Sequence, residues 1–300
     1  MSMTFSAPPT ASGSADTAAA PEVSLSELAA ADGTRLVLRT WPAPAGRQRG
    51  TVVIVHGLGE HSGRYEHVAQ RLRSWGFAVV AYDHRGHGRS PGPRGALQTA
   101  DDLLHDLAAV IDAARARHAG PLVLLGHSMG GLIAARFVAG AVRPVDLLVL
   151  SSPALNVGLS AFNRGLLRVS LALTPNLAVS NGLDARYVSR DPAVVSRYLA
   201  DPLNHGKVTA RLVRFIVDGG QYVRERARQW QVPTLLMWAG QDRLVLPAGS
   251  ADFAELAPRD LVQCQCFPQM YHELFNEPDQ DEVFNVLHQW LDQRLPAAAD

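Results

Sequence analysis

Short runs of β-branched and aliphatic residues recur along this chain: TVVIVHG (51–57), FAVVAYDH (77–84), PLVLLG (121–126), VDLLVLSSP (145–153) and PTLLMWAGQD (233–242). A run of that length without polar alternation is expected of a strand covered on both faces. Between them lie stretches of helical apolar spacing: RYEHVAQRLRSWG (64–76), closed by Gly76, a helix expected over 99–118 whose TADD start supplies a cap and early acidic charge, and GGLIAARFVAG (130–140). Strand and helix in alternation mean βαβ units, and these demand a parallel sheet with helices on both sides. The same rhythm returns late, as GSADFAELAP (249–258), the strand LVQCQCFP (261–268) and a closing amphipathic helix over 278–295 with Pro278 near its start. At the front, VSLSELAA and TRLVLRTWP around the turn ADG (31–33) predict an antiparallel hairpin.

Between residues 154 and 228 the rhythm stops. LSAFNRGLLRVSLALTPNLAV (159–179), SRDPAVVSRYLADPL (189–203) and RERARQW (224–230) are helical in flavour and hold no buried-strand pattern. A segment so long is not a loop in a compact domain. The expected organisation is a disordered tail over 1–22, an α/β core over 23–153, an inserted helical cap over 154–228, and the rest of the core over 229–300.

Bulk properties narrow the partners. With 47% hydrophobic residues the chain can bury a sizeable core, while 28 basic residues balance 28 acidic ones, so no global field favours nucleic acid or an anionic surface. Residues 1–24 lack a basic start and a continuous apolar segment, so a secretory signal is not expected, and no uninterrupted apolar run suits a membrane span. The expected location is the cytoplasm or the periphery of a membrane. Cys264 and Cys266 stand two apart on one predicted strand, poor geometry for a mutual disulfide, and read as free thiols of a reducing compartment. The eleven histidines form no H-E-x-x-H or Cys/His cluster, so neither a metal nor another cofactor is expected.

The chemistry enters at GHSMGG (126–131), which fits G-x-S-x-G and falls directly after one predicted strand and before a helix. In that context the turn is so sharp that the serine sits in strained backbone, and small residues two before and two after avoid collision. Ser128 is then lifted above the sheet, but a hydroxyl is a poor nucleophile without a base and a group to orient that base. His272 follows the last predicted strand and Asp242 ends another, both at the carboxyl edge that carries Ser128. Taken alone, Asp242 reads equally as a turn aspartate capping a helix near Pro247, and His272 as a loop histidine. The chain order Ser128, Asp242, His272 is that of an α/β-hydrolase triad. His84 and His87 are read as shaping their loop, and His105, His118, His205 and His288 as solvated. Two backbone donors are needed for an oxyanion: Met129 N–H, after the nucleophile, and Leu58 N–H in the loop opening HGLGEHSGRY.

HGLGEHSGRY (56–65), YDHRGHGRS (82–90), GHSMGG, the cap stretch 189–203, GQDRLVLP (240–247) and MYHELFNE (270–277) together resemble the monoacylglycerol lipase family of serine hydrolases, from about residue 23 onward. The resemblance implies an α/β-hydrolase fold and removal of the acyl chain from a monoacylglycerol by Ser128, Asp242 and His272, with the Leu58 and Met129 amides as oxyanion hole. It further implies that Glu60, Arg64 and Tyr198 lie near the polar glycerol head. A buried glycerol needs hydrogen-bond partners, which those three could supply; an ordinary ion pair fixing the loop is the alternative. Gln269 departs from the family, which often has glycine there, and leaves the approach to His272 open in detail. Lysophospholipase, general carboxylesterase, acyltransferase or, among proteins without catalysis, a lipid-binding module would use the same features. The expected partner is a small lipid ester and not nucleic acid, with oligomeric state undetermined. The apolar residues of 159–179, with Arg164 and Arg168, either pack the cap onto the core or meet a lipid surface transiently.

Overall fold

The computed structural model describes residues 23–45 and 48–296; the expected tail over 1–22 lies outside the described residues. The hairpin is present as β1 (Ser24–Ala29) and β2 (Arg35–Trp41), paired antiparallel. There follow β3 (Gly50–Val55), α1 (Glu66–Ser74), β4 (Phe77–Tyr82), α2 (Asp102–Arg117), β5 (Leu122–His127), α3 (Met129–Ala139) and β6 (Leu147–Ser151). After β6 come α4 (Ala161–Leu173), β7 (Val179–Ser180), α5 (Pro192–Ala200), β8 (Lys207–Val208) and α6 (Ala210–Glu225). The chain ends with β9 (Thr234–Ala239), α7 (Pro247–Leu256), β10 (Val262–Phe267) and α8 (Gln280–Arg294).

The main sheet has eight strands in the order β1-β2-β4-β3-β5-β6-β9-β10, parallel from β4 through β10. This is the α/β-hydrolase fold. Strand periodicity splits each apolar run between two cores: Val53 and Val55 pack under α2, α3 and α6, whereas Val52 and Ile54 pack under α1 and α8. Burial on both faces is why these strands read as uninterrupted apolar runs. The chain leaves β3 toward β4 on one side and returns to β5 on the other, so a crevice opens at the carboxyl ends of β3 and β5.

One local expectation differs from the structure, and two details add to it. α2 begins at Asp102, not near residue 99, and Asp101 makes no side-chain cap; Asp102 instead turns back to accept from the Gln98 and Thr99 amides at 2.6 and 3.0 Å. Between β6 and β9 lies only a short, largely exposed antiparallel pair of two residues each, β7 with β8, so among the described residues no buried strand interrupts the segment. On α6, Leu212, Phe215, Ile216 and Val223 join the core cluster with α3. α4 behaves oppositely and buries none of its residues, leaving Phe162 and Leu173 at least three-quarters exposed.

Candidate active site

Ser128 stands between β5 and α3 with φ 54° and ψ −120°, a left-handed conformation that costs of order 1–3 kcal/mol for a residue with a Cβ. Close packing makes the glycines on either side obligatory. A Cβ on Gly126 would lie 2.7 Å from Gly131 Cα, and one on Gly130 would collide with the Val55 carbonyl oxygen. The serine is thereby held at the end of the crevice, with its amide bonded to Ser151 O at 3.0 Å.

His272 Nε2 is 2.8 Å from Ser128 Oγ, and its Nδ1 is 2.6 Å from Asp242 Oδ2. A carboxylate only accepts, so Nδ1 carries the hydrogen and Nε2 offers its lone pair to the serine hydroxyl. Asp242 does not cap α7, whose N-cap is Leu246; its Oδ1 holds the turn before that helix by accepting from the Leu244 and Val245 amides at 2.9 and 3.0 Å, leaving Oδ2 for the histidine. Burial would raise the Asp242 pKa, but His272 and these donors hold it below the usual carboxylate range. Burial also works against a charged His272; the attraction and hydrogen bond of Asp242, with Glu273 and Glu60 behind, overcome it and raise its pKa above 6.5. Gln269, the departure noted above, is exposed and leaves these distances intact.

The loop after β3 runs against the serine, since a Cβ on Gly57 would sit 3.2 Å from Ser128 Cβ. Among the described residues, neither the Leu58 nor the Met129 amide donates to a protein acceptor. The Met129 side chain is in the core and Leu58 lines the site. At Gly59, φ is +76° and a Cβ would strike the carbonyl oxygen of His205, whose amide in turn donates to Gly59 O at 2.8 Å. The loop and residues 201–206 thus close over each other.

A cavity of about 230 Å³ opens from Ser128 and His272. Leu58, Val188, Leu199 and Leu244 form apolar wall, and Glu60, Tyr198, Asp201, Asn204 and Glu273 form polar wall. Glu60 Oε1 accepts from Gly57 N and the Tyr65 hydroxyl at 2.6 and 2.8 Å, while Oε2 meets Arg64 Nη1 at 2.5 Å. Arg64 grips Glu273 with two bonds of 2.7 Å and stacks 4.7 Å from the Tyr198 ring centroid. Of the three residues expected near a polar head, Glu60 and Tyr198 line the cavity, whereas Arg64 stands behind them as an ion pair. Burial would lift the Glu60 carboxyl, yet Arg64 keeps it ionised; burial with Glu60 pushes the Tyr198 phenol up to about 12, so it remains a donor.

Sequence reasoning passed over Glu273, although it adjoins His272 in MYHELFNE; its importance is visible only through Arg64, 209 residues away. It also misjudged His205, which is not solvated but lines the cavity and packs 4.5 Å from the His87 ring, with its pKa lowered to about 4 by burial and Arg94. His127 is buried beside His272 and likewise lowered to about 4, first by burial and then by His272, so it is neutral at pH 7. Cys264 and Cys266 are free. Among the described residues no group of three or more His, Cys, Asp or Glu could hold a metal, and no helix is long and apolar enough to cross a membrane.

The relay can pass a proton from Ser128 to His272 while Asp242 holds the imidazole and balances its charge. A relay of this kind needs the basic form of His272, so activity is expected to fall as pH drops through its pKa. The acid limb of kcat/KM is expected above pH 6.5, and Glu273→Gln should shift it to lower pH, since one of the carboxylates raising His272 is removed. A limb below 6.5, or one unmoved by the substitution, would contradict this reading.

The family model described as serine aminopeptidase, S33 matches residues 46–279. A monoacylglycerol lipase of Mycolicibacterium smegmatis is 39% identical over 272 residues, spanning 89% of this chain and 96% of that protein. A phospholipase of Bacillus subtilis is 31% identical, covering 85% of this chain and all (100%) of its own length. The solved monoacylglycerol lipase of Paleococcus ferrophilus superposes with a TM-score of 0.79 at 33% identity, over 86% of this chain and 99% of that one. The chain therefore belongs to the serine hydrolases of the S33 family and, within them, to the monoacylglycerol lipase family of the α/β-hydrolase fold.

Proposed function

We propose that this protein hydrolyses monoacylglycerols to free fatty acid and glycerol, with Ser128 as nucleophile, His272 as general base and acid, and Asp242 as its orienting partner. Ser128 Oγ attacks the ester carbonyl as its proton passes to His272 Nε2. The oxyanion is held by the Leu58 and Met129 amides. On collapse the ester C–O bond breaks and His272 returns the proton to the departing glycerol oxygen. Water, deprotonated by the same nitrogen, then cleaves the acyl-enzyme and restores the serine.

The observation that carries the reading is the 2.8 Å and 2.6 Å relay lining a cavity whose other walls mix apolar residues with the carboxylates of Glu60, Asp201 and Glu273. Glu60 and the Tyr198 hydroxyl are the groups for glycerol, and Arg64 fixes both in place. We further propose that the cap is the segment from α4 through β8, with α6 a helix of the core. The exposed Phe162, Leu166, Val169 and Leu173 on α4, together with Arg164 and Arg168, form a face suited to transient contact with a lipid surface.

Acyl-chain length tests the assignment. Burial of each methylene contributes at most about 0.8 kcal/mol, or about fourfold in kcat/KM. With monomeric monoacylglycerols from butyryl to lauroyl, kcat/KM should climb by a factor approaching that per added carbon until the apolar wall is filled. Equal activity on acetyl and lauroyl esters would remove the case for a lipid substrate.

A further inference from the structure

The charged side chains lining the cavity are Glu60, Asp201 and Glu273, and no lysine or arginine is among its walls. Arg64, the cation behind them, is committed: Nη1 serves both Glu60 and Glu273, Nη2 serves Glu273, and the guanidinium plane covers Tyr198. One arginine against two carboxylates leaves this buried group with an excess negative charge. Asp201 adds another, with His61 2.8 Å away. His127 and His205, both depressed to about 4, contribute no positive charge at neutral pH.

Chemistry dictates where a leaving group must go. The departing oxygen has to take its proton from His272 Nε2, so the alcohol part of the ester lies beside His272, against Glu273 and Glu60. We infer that this carboxylate wall is a charge filter which accepts esters of neutral polyols and rejects esters whose alcohol carries a phosphate, with Glu273 as the specificity-determining residue. The filter rests on the hydrolase reading above and deepens it, and it separates this chain from a lysophospholipase acting through the same triad. It also gives Glu273 a use in the reaction. The excess negative charge that turns away a phosphate also favours the imidazolium that forms as Ser128 attacks.

A matched pair of substrates isolates the headgroup: 1-lauroylglycerol and 1-lauroylglycerol-3-phosphate, both below their aggregation concentrations, with the full-length enzyme and release of lauric acid as readout. The acyl chain and the triad are common to both. Repulsion from one uncompensated carboxylate in a partly desolvated site corresponds to about a hundredfold, so kcat/KM should favour the neutral ester by at least about that factor. Glu273→Gln should narrow the ratio about tenfold by raising kcat/KM on the phosphate ester. Asp201→Asn, which leaves the Arg64 cluster intact, should narrow it less. A wild-type ratio near one, with both lipids cleaved, would overturn the filter alone, as would a large ratio that neither substitution changes. Cleavage of a nitrophenyl acetate control with neither lipid touched would overturn the monoacylglycerol reading and the filter with it.

Discussion

Ser128→Ala is expected to lower kcat on a monoacylglycerol by about 10⁶-fold and to abolish labelling by a fluorophosphonate probe. The size follows from what the substitution leaves. The Leu58 and Met129 amides and the cavity walls persist, so substrate should still bind, but no nucleophile stands 2.8 Å from His272 Nε2. Acyl-enzyme cannot form, and the residual rate is that of water in a preorganised pocket. The fold should be indifferent, because alanine keeps the Cβ and the strained φ of 54°. Ser128→Gly provides a second check: it should be as inactive, yet melt no lower than wild type, since glycine adopts that φ without strain. Equal probe labelling of wild type and Ser128→Ala would show that the covalent step lies elsewhere.

Asp242→Asn should cost about 10⁴ in kcat with little change in KM. The geometry around Asp242 explains why so conservative a change is severe. Oδ1 is held by the Leu244 and Val245 amides, both donors, so the asparagine oxygen must occupy that place and its NH₂ must face His272. Two donors cannot face each other, and the imidazole responds by carrying its hydrogen on Nε2. In that tautomer it cannot accept the Ser128 proton. A loss below tenfold at pH 8 would mean that the carboxylate does not set the tautomer.

Much of the fold was legible because it rests on local patterns. A strand buried on both faces has no freedom to include polar residues, so β3 to β6 and β9 announce themselves as apolar runs. Parallel order then makes β3 to β6, β9 and β10 end at the same edge. Ser128, Asp242 and His272 were therefore identifiable as neighbours without a single contact being known, from their positions just past β5, β9 and β10. Less local features stayed open or misled. The amphipathic spacing of α4 left core packing and a solvent-facing surface both open, and the helix is exposed. TADD resembles an N-cap, yet Asp102 is also drawn to 3.0 Å from Arg85. His205 sits in a polar stretch but is pinned by Gly59 and His87.

The sequence alone thus determined the order of strands and helices, the elbow at Ser128 and the edge on which the reacting groups gather, because apolar periodicity and tight-turn sterics act over a few residues. Only the tertiary structure decided that Arg64 is spent on Glu60 and Glu273, that the cavity is walled by carboxylates, and which oxygen of Asp242 faces the histidine. Apart from the Glu60–Arg64 pair, four residues apart, these are pairings between residues distant in the chain. Their partners are chosen by where the folded backbone brings charges out of water, and no local pattern records that choice.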